Sequence, residues 1–317
     1  MVKKVILITG GTGFIGSNLT HALLKRKTEI HVLIRKSSNI WRLKNIQKKI
    51  KFHEFDLTDI EKNKNVIKKI NPEIVFHCAA YGSSPKDKDY SKMIKTNVHG
   101  TLNLFSKLSN QNLKRVVNIG SVFEYGLKQN NRGFLETDSL NPLTFYGITK
   151  LAQTNIAQYF FKSKSLPVTT LRLFTPYGKF DEKGRLISDI MFAINENKKI
   201  VISSPESVRD FIFIDDVIDA LIKSSEIPNI GGQIFNIGTG KSNSVKKIVE
   251  ICKKKSKTNK NISVVDTKKR DYDLSGGKGY ANINKAKKIL QWKPQNSIDQ
   301  GLEKSYKWYQ KNYHMYS

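Results

Sequence analysis

The amino-acid sequence predicts an α/β fold, in which a doubly wound parallel sheet is followed by a smaller, partly interleaved C-terminal lobe. Three observations support this prediction. Apolar runs of strand length alternate with stretches of helical periodicity. A glycine-rich turn joins the first run directly to the first helix. Alternating strands and helices form parallel sheets with right-handed crossovers, and this alternation loosens beyond Pro176.

The predicted elements follow one another in order along the chain. Apolar and β-branched residues predict strands at residues 5–9, 29–34, 51–54, 74–79, 115–119 and 168–174. Helical spacing of apolar residues predicts helices at residues 14–24, 89–109 and 144–162. The later elements are a helix at 186–196, a strand at 200–203, a helix at 215–224, a strand at 233–237 and a helix at 245–257. We therefore divide the chain into a first domain, residues 1–175, and a second lobe, residues 176–317.

The turn after the first strand predicts a binding site for the pyrophosphate of a dinucleotide. Gly10, Gly13 and Gly16 lie between this strand and the helix that begins with Phe14 and Ile15. Glycine lets the backbone turn sharply and lets a ligand approach closely. The start of the helix offers unpaired N–H groups and a positive dipole end to the phosphates. The first domain is therefore expected to be a Rossmann-like dinucleotide-binding domain.

The end of the second strand predicts which dinucleotide binds. The usual fingerprint places an acidic residue there for the ribose of NAD, whereas this chain has Arg35 followed by Lys36. A guanidinium group can bind a 2′-phosphate through two hydrogen bonds, so the sequence favours NADP as the cofactor. The alternative is that Arg35 stacks on the adenine or lies in solvent, in which case NAD fits equally well.

The composition is typical of a soluble protein in a reducing compartment. The two cysteines, Cys78 and Cys252, predict small buried side chains and not a disulfide framework or a metal site. The N-terminal residues contain no long apolar run, because Lys3 and Lys4 lead directly into the first strand. We expect a cytoplasmic protein with no membrane insertion and no bound metal.

The net charge needs a separate explanation. The chain has 55 Lys and Arg residues against 27 Asp and Glu residues, a net charge of +28, which on its own suggests nucleic-acid binding. The lysines are scattered through nearly every predicted helix and loop, without an RNA-binding module or a row of aromatic residues for base stacking. We therefore expect a solvated basic surface and no dedicated nucleic-acid site.

A tyrosine and a lysine four residues apart predict the reaction chemistry. If this stretch is helical, Tyr146 and Lys150 lie on one face of the helix. A phenol has an ordinary pKa of about 10, and a nearby ammonium group favours the phenolate and moves that pKa towards working pH. Such a pair can exchange a proton with the oxygen of a sugar or an alcohol. Ser121, at the end of a predicted strand, supplies a hydroxyl for the same site.

Together these motifs resemble the extended short-chain dehydrogenases/reductases, in particular the NAD-dependent epimerase/dehydratase family that modifies nucleotide sugars. In that family a serine or threonine precedes a Tyr-Gly pair, as Ser121 precedes Tyr125 and Gly126 here. The resemblance covers the chain essentially from end to end. It implies that Ser121 hydrogen-bonds the reacting oxygen, that Tyr146 is the acid/base, and that Lys150 holds the nicotinamide ribose.

The resemblance also implies the cofactor contacts. Asp56 matches the family's adenine contact, and Asn97 matches the asparagine that shapes the helix beside the catalytic site. The residues implied for cofactor binding are Gly10, Gly13, Phe14, Ile15, Gly16, Arg35, Asp56, Leu57, Ala79, Ala80, Asn97, Tyr146 and Lys150.

By the same resemblance, the substrate is a nucleotide-diphosphate sugar that binds mainly to the second lobe. Arg209 matches the arginine that meets the diphosphate, and Arg270 resembles a second phosphate arginine. Each guanidinium group can bridge two anionic oxygens. Thr175 stands where the family usually has an asparagine, so one substrate contact differs. The residues implied for substrate binding are Tyr81, Ser121, Thr175, Arg209 and Arg270.

The residues after the catalytic serine bear on the type of reaction. Family members that eliminate water carry an acidic residue directly after the catalytic hydroxyl residue, whereas this chain has Val122 and Phe123. Neither side chain exchanges protons, so the sequence disfavours a 4,6-dehydratase. A 4-epimerase and an NADPH-dependent 4-ketoreductase both stay open, because both transfer a hydride at C4 of the sugar and need Ser121, Tyr146 and Lys150.

A non-catalytic alternative comes from the same superfamily, in which some members bind a dinucleotide and act as regulators or RNA-binding proteins. The presence of Ser121, Tyr146 and Lys150 together favours an enzyme. Members of the family often form dimers through the two helices beside the active site. We therefore expect a homodimer built from the helices that start near Asp89 and Thr144.

Overall fold

The computed structural model describes residues 3–59, 65–84, 86–108, 112–127, 132–202, 204–256, 262–264 and 279–316. The strands of these residues are β1 (Lys4–Thr9), β2 (Thr28–Ile34), β3 (Lys51–Glu54), β4 (Ile74–His77), β5 (Arg115–Ser121), β6 (Val168–Leu173), β7 (Thr175–Tyr177), β8 (Ile200–Ile202), β9 (Val208–Arg209), β10 (Phe211–Phe213), β11 (Ile234–Ile237), β12 (Asn243–Ser244) and β13 (Ile262–Val264). The α-helices of the same residues are α1 (Phe14–Leu23), α2 (Val66–Ile70), α3 (Tyr90–Met93), α4 (Gly100–Ser106), α5 (Phe145–Lys164), α6 (Leu186–Asn195), α7 (Ile214–Glu226), α8 (Val245–Ser256), α9 (Asn284–Ile289) and α10 (Ile298–Asn312).

Within the described chain, seven parallel strands form the central sheet in the order β11-β6-β5-β4-β1-β2-β3. This arrangement confirms the predicted α/β fold with a doubly wound, Rossmann-like sheet. The strand order reverses beside β1, because β2 and β3 lie on one side of it and the other four strands lie on the opposite side. A reversal of this kind leaves a crevice outside the carboxyl ends of the strands, where ligands bind in open α/β sheets.

Apolar clusters cover both faces of the central sheet. Neighbouring residues of β1 point to opposite faces, so that Ile6 and Ile8 belong to one cluster and Leu7 belongs to the other. The second cluster joins the sheet to α4 through Phe105 and to α5 through Phe160. Because both faces are buried, the strands are apolar on both sides, which explains the continuous apolar runs in the sequence.

The C-terminal part of the chain returns to the central sheet. β11 pairs with β6, with Ile234 opposite Thr170 and Ile237 opposite Leu173. β10 pairs with β7 in a small separate sheet that continues from the end of β6. Residues after 175 therefore contribute an edge strand to the sheet as well as the structure beside it. The division of the chain at residue 175 stays a prediction.

The long helix predicted after the fourth strand is divided in the structure. α3 ends at Met93, a π-helical segment covers Ile94–His99, and α4 begins at Gly100. Asn97 lies inside the π-helical segment, where its amide group donates to Tyr81 O and accepts from Tyr81 N, both at 2.8 Å. The wider turn lets the amide reach the loop after β4, a constraint that helical periodicity does not reveal.

Candidate active site

A cavity of about 700 Å³ opens at the carboxyl ends of the central strands. It brings together most of the residues that the sequence predicted for the cofactor, the chemistry and the substrate. The predicted residues that line it are Gly10, Gly13, Phe14, Ile15, Gly16, Ala80, Ser121, Tyr146, Lys150, Thr175 and Arg209.

The glycine turn at one end of this cavity has no room for side chains. Gly10 has a positive φ of 63°, and a Cβ atom on it would lie 2.6 Å from Ala79 N. A Cβ atom on Gly16 would lie 2.3 Å from Gly10 O. Gly13 precedes α1 in an extended conformation, so no side chain covers the first N–H groups of this helix. These features fit a dinucleotide pyrophosphate, because they let anionic oxygens approach the main chain and the positive end of the helix.

Ser121 is held at the end of β5 by the short 3₁₀ turn that follows it. Its Oγ accepts a hydrogen bond from Phe123 N at 3.2 Å, and its own N–H donates to Glu124 Oε1 at 2.7 Å. These reciprocal bonds form a capping box, which fixes both the backbone and the side chain of the serine. The hydroxyl proton of Ser121 remains available to a partner, and a hydrogen bond between Ser121 and Tyr146 lowers the pKa of the phenol.

Helix α5 carries the other two catalytic candidates. Thr144 caps the helix by accepting a hydrogen bond from Gly147 N at 3.0 Å, and Tyr146 follows in the first turn. Lys150, one turn further on, is only 1% exposed. Its Nζ donates to Ile119 O of β5 at 2.6 Å and to Gln153 Oε1. Tyr146 and Lys150 therefore lie on the face of α5 that meets the end of β5.

The pKa values of Tyr146 and Lys150 differ from what the sequence led us to expect. Burial raises the pKa of Tyr146 to about 12, so the pKa does not move towards working pH as the sequence analysis expected. The Arg185 cation opposes this rise in the pKa of Tyr146, whereas the Glu124 carboxylate raises the pKa further. Burial lowers the pKa of Lys150 to about 8, against the effect of the Glu124 charge. Desolvation is thus the largest influence on the pKa of both groups.

A polar chain connects the glycine turn to α5 and was missed by the sequence analysis. His77 is fully buried, and burial lowers its pKa to about 3, so that the ring is neutral. Its Nδ1 is 2.7 Å from Thr9 Oγ1, and its Nε2 is 2.9 Å from Thr101 Oγ1. Asn97 Nδ2 donates to Thr149 Oγ1 at 2.9 Å. The signal in the sequence is a histidine that interrupts the otherwise apolar end of β4.

Other predicted contacts lie outside the lining of this cavity. Arg35 follows β2, is exposed, and donates its backbone N–H to Ser38 Oγ at 2.9 Å. Asp56 Oδ1 accepts hydrogen bonds from Thr58 N and Oγ1, both at 2.8 Å. Both residues follow strands on the β2–β3 side of the sheet. Leu57, Ala79, Tyr81 and Asn97 are also outside the cavity lining, and Arg270 lies outside the described residues.

Tyr81 and Ala79 contribute through their backbones. Ala79 N donates to Thr9 Oγ1 at 3.2 Å, and the Tyr81 backbone is held by Asn97. The Tyr81 side chain is half-buried, and the Lys92 ammonium lies 4.4 Å from the centre of its ring. Cys78 directly precedes Ala79 and is half-buried in the cavity wall. The prediction that both cysteines are buried therefore holds only for Cys252.

Three charged residues in the cavity wall were also missed by the sequence analysis. Arg185 lines the cavity, and its Nη1 lies 3.6 Å from Oδ1 of Asp181, whose pKa is raised to about 6 by burial. Asp87 Oδ2 accepts hydrogen bonds from the backbone of Gly82 and Ser84 and so orders the loop after β4. These residues follow β4 and β7 in loops of ordinary polar composition, which explains why they gave no signal.

A buried aspartate anchors the part of the cavity wall that carries Arg209. Asp210 is 1% exposed and accepts hydrogen bonds from the backbone of Thr239, Gly240 and Ala281. These bonds fix the short segment that places Arg209 on the cavity wall. In the described ranges, His, Cys, Asp and Glu side chains form no group of three or more that could hold a metal ion. No helix in these ranges is both long and apolar enough to cross a membrane.

Comparison with known proteins identifies the family. The model of the NAD dependent epimerase/dehydratase family matches residues 6–238, so the chain belongs to this family. The predicted resemblance and the prediction of an enzyme are therefore confirmed. The UDP-glucuronate 4-epimerase of Thermodesulfobacterium geofontis is 27% identical over 318 residues, which cover 96% of each chain.

Two solved structures extend this comparison. The structure of UDP-glucose 4-epimerase from Thermotoga maritima with UDP-glucose matches with a TM-score of 0.89 and 26% identity, over 97% of this chain and 99% of that one. The structure of dTDP-glucose 4,6-dehydratase from Bacillus anthracis in complex with NAD matches with a TM-score of 0.85 and 27% identity, over 98% of this chain and 97% of that one. The neighbours thus include both an epimerase and a dehydratase.

The crowding at Gly16 yields a first prediction. Gly16→Ala places a Cβ atom where the main chain of Gly10 lies, so the turn must open and the pyrophosphate site is distorted. We expect the dissociation constant for the dinucleotide to rise about tenfold or more, a loss of roughly 1.4 kcal/mol. Calorimetric titration with NAD and NADP measures it. Gly231→Ala is the matched control, because its Cβ atom would press on the Phe161 ring, away from the cavity. A folded Gly16→Ala protein with wild-type affinity would contradict this role.

Proposed function

We propose that this protein transfers a hydride at C4 of the sugar of a nucleotide-diphosphate sugar, with a nicotinamide dinucleotide as cofactor, and acts as a 4-epimerase. The observation that carries the proposal is that Ser121, Tyr146 and Lys150 meet the glycine turn in one cavity. Relatives named as UDP-glucuronate 4-epimerase and UDP-glucose 4-epimerase, each aligned over 96% of this chain, support it.

The roles of the three residues follow from their surroundings. The bound nicotinamide would supply the site that accepts and returns the hydride. Ser121 would donate a hydrogen bond to the C4 oxygen of the sugar, and Tyr146 would move the proton to or from that oxygen. Lys150 would hold the cofactor ribose through its ammonium group. Because burial raises the pKa of Tyr146 to about 12, the phenol is a proton donor at neutral pH unless cationic groups stabilise its anion.

The substrate is held by positive groups on the second lobe. Arg209 on the cavity wall is our candidate for the diphosphate, because a guanidinium group can bridge two phosphate oxygens. Thr175, in the same wall, contributes a hydroxyl to the sugar. The glycine turn and Arg209 then hold cofactor and substrate so that the two reacting carbons meet, which accounts for much of the rate enhancement in such enzymes.

A 4-ketoreductase is the second candidate function, and Arg35 is the observation that favours it. This exposed residue directly follows β2, where a guanidinium group can reach the 2′-phosphate of NADPH. A reductase consumes NADPH, whereas an epimerase keeps one cofactor and returns the same hydride.

The residues after Ser121 argue against a dehydratase. Val122 and Phe123 occupy the positions that carry acidic residues in water-eliminating relatives, and the Phe123 ring packs edge-on against Tyr146 at 5.9 Å. The next residue is a carboxylate, Glu124, but it is fully buried and paired with Arg172 at 2.7 Å. It therefore lacks the freedom to deliver a proton to the sugar.

We also propose that the protein is a homodimer. Large apolar side chains are 39–61% exposed on α3, the π-helical segment, α4 and α5, which pack against one another: Tyr90, Ile94, Leu102, Ile148 and Tyr159. Soluble monomers rarely expose so many apolar groups on adjacent helices. A dimer with its two-fold axis through this surface would bury the apolar groups of both copies at once.

Removal of the phenolic hydroxyl tests the chemical role of Tyr146. Tyr146→Phe is expected to lower kcat by roughly 10²–10⁴-fold, because no other group transfers the proton, while the affinity for the cofactor stays unchanged. The measurement is turnover of UDP-glucose and UDP-glucuronate, followed by NMR of the sugar. Tyr313→Phe serves as the control, because this tyrosine is exposed and lies outside both the cavity lining and the proposed dimer surface. Full activity of Tyr146→Phe would rule out the acid/base role.

A charge reversal at Arg35 tests the cofactor preference. Arg35→Asp is expected to weaken NADPH binding at least tenfold, with little change for NADH, because only the former carries a 2′-phosphate. Lys36→Asp controls for the general change in charge. Equal weakening of NADPH and NADH binding in Arg35→Asp would show that Arg35 does not contact the 2′-phosphate. The mass of any dinucleotide released by denaturation then separates an epimerase that retains NAD from a reductase that takes up NADPH.

Charge on the apolar helix surface tests the dimer. Leu102→Glu and Tyr159→Glu are each expected to halve the mass measured by light scattering, because a buried unpaired carboxylate opposes association. Val201→Glu is the control, because Val201 is a similarly exposed apolar residue, at 57%, but lies on β8 and not on the helix surface. A wild-type protein that is monomeric at micromolar concentration would contradict the proposal.

A further inference from the structure

Two opposite charges are buried directly beneath the catalytic serine. Glu124 is 0% exposed and Arg172 is 1% exposed. Removing two charges from water is costly, and apolar residues of similar size often stabilise a fold equally well. The proposed mechanism gives neither residue a role. Their place in the fold therefore calls for an explanation beyond stability.

Both oxygens of the Glu124 carboxylate have partners that lead to the active site. Oε1 accepts from Ser121 N at 2.7 Å, and Oε2 accepts from Arg172 Nε at 2.7 Å. Arg172 lies on β6 beside the end of β5, opposite Gly120, and Glu124 lies in the 3₁₀ turn that follows β5. A Cβ atom on Gly120 would lie 2.7 Å from Glu124 Oε1, so the carboxylate packs tightly under the strand that ends in Ser121.

Arg172 is itself held by a second set of contacts. Its Nη1 donates to Tyr125 OH at 3.0 Å and to Glu136 O at 3.3 Å. Tyr125 OH donates to Asn236 Oδ1 at 2.7 Å, and Asn236 N donates to Glu136 Oε1 at 2.8 Å. The ion pair is thus supported by β11, and the C-terminal part of the chain stabilises the position of Ser121 through it.

The charge of Glu124 also reaches the other two catalytic candidates. Lys150 Nζ donates to Ile119 O at 2.6 Å, two residues before Ser121 on the same strand. Burial lowers the pKa of Lys150, and the Glu124 charge is the largest influence that raises it. The same charge raises the pKa of Tyr146.

We propose that Glu124 and Arg172 are a positioning pair for the active site, in which Glu124 fixes the backbone of Ser121 and supplies the buried counter-charge of Lys150, while Arg172 holds Glu124. This inference rests on the proposed function. Neither residue touches the substrate or the cofactor; both act through Ser121, Lys150 and Tyr146.

Other charged and titratable groups also face these residues, and they stay in place when Glu124 is changed. Arg185 and Asp87 act on Tyr146, the Cys78 thiol acts on Lys150, and the neutral His77 lies near Lys150. Around Arg172 the further groups are Glu136, Tyr125 and Lys285.

The direction of the expected pH effect follows from the charges. Loss of the Glu124 charge lowers the pKa of Lys150. The ammonium is then lost at a lower pH, so the alkaline limb of the kcat profile moves to lower pH. Loss of this charge also lowers the pKa of Tyr146, so any acid limb that requires the phenolate moves in the same direction. A purely structural role would change the amount of folded protein but not the position of either limb.

Glu124→Gln is the central variant. We expect both limbs of its kcat profile to move to lower pH by about one unit or more, while KM changes less than twofold. Glu124→Asp keeps the charge and should keep the wild-type pH profile, although kcat falls because the shorter side chain loses one partner. Asp216→Asn is the matched control: Asp216 is a buried carboxylate outside the cavity lining that accepts hydrogen bonds from Gln295 and Asn296, so its loss should reduce stability without moving the pH profile.

Glu124→Gln alone leaves the buried Arg172 charge without its partner, and such a protein can fail to fold. In that case Glu124→Gln combined with Arg172→Met removes both charges at similar volume and should show a smaller pH shift in the same direction. NMR titration of ¹³C-labelled lysine, with the signal assigned through Lys150→Met, gives a second readout that does not require turnover. We expect the pKa of Lys150 to be lower in the variants than in the wild-type protein.

The outcomes separate the two proposals. If the wild-type protein turns over no nucleotide sugar, the proposed function fails, and the NMR titration alone decides the role of Glu124. If the folded variants keep both the wild-type pH profile and the wild-type pKa of Lys150, the positioning pair is wrong, whatever the reaction is.

Discussion

The arrangement of the active site depends on one buried contact between helix α5 and strand β5. Lys150 donates to Ile119 O at 2.6 Å, and Gln153, which shares this ammonium, donates to Asn118 Oδ1 at 2.7 Å. A buried ammonium is tolerated only where its donors find acceptors, so this contact sets the rotation of the helix. Gly147 completes the fit, because a Cβ atom there would lie 2.4 Å from Phe123 O. Tyr146 is thereby placed beside Ser121.

Polar networks on both sides of this contact connect it to the ligand sites. On one side, the buried Thr9, His77 and Thr101 join the glycine turn to the π-helical segment and, through Asn97, to α5. On the other side, Glu124 and Arg172 join Ser121 to the C-terminal strand β11 through Tyr125 and Asn236. Because buried polar groups are costly when unpaired, each network holds its members in one arrangement. The glycine turn, α5 and β11 are thus kept in register.

Much of this could be predicted from the sequence, because the signals are local. The third strand coincides with the predicted residues 51–54, and the glycine turn, Ser121, Tyr146 and Lys150 were all recognised from short motifs. The rest depends on contacts between distant residues. β7 and β10 contain three residues each and exist through their pairing with one another, and the π-helical segment depends on the bonds of Asn97 to Tyr81. The pKa of Tyr146 depends on burial, which no motif shows, and Arg185 enters the cavity only through the path of its loop.

The central claim is that a hydride leaves and returns at C4 of a nucleotide sugar, and isotopic labelling at that carbon tests it most directly. The protein is incubated with UDP-glucose or UDP-glucuronate that carries deuterium at C4, and the products are followed by NMR and mass spectrometry. We expect the C4 epimer with deuterium still at C4, formed with a primary isotope effect. Loss of the deuterium to solvent, or products changed at any carbon other than C4, would contradict it.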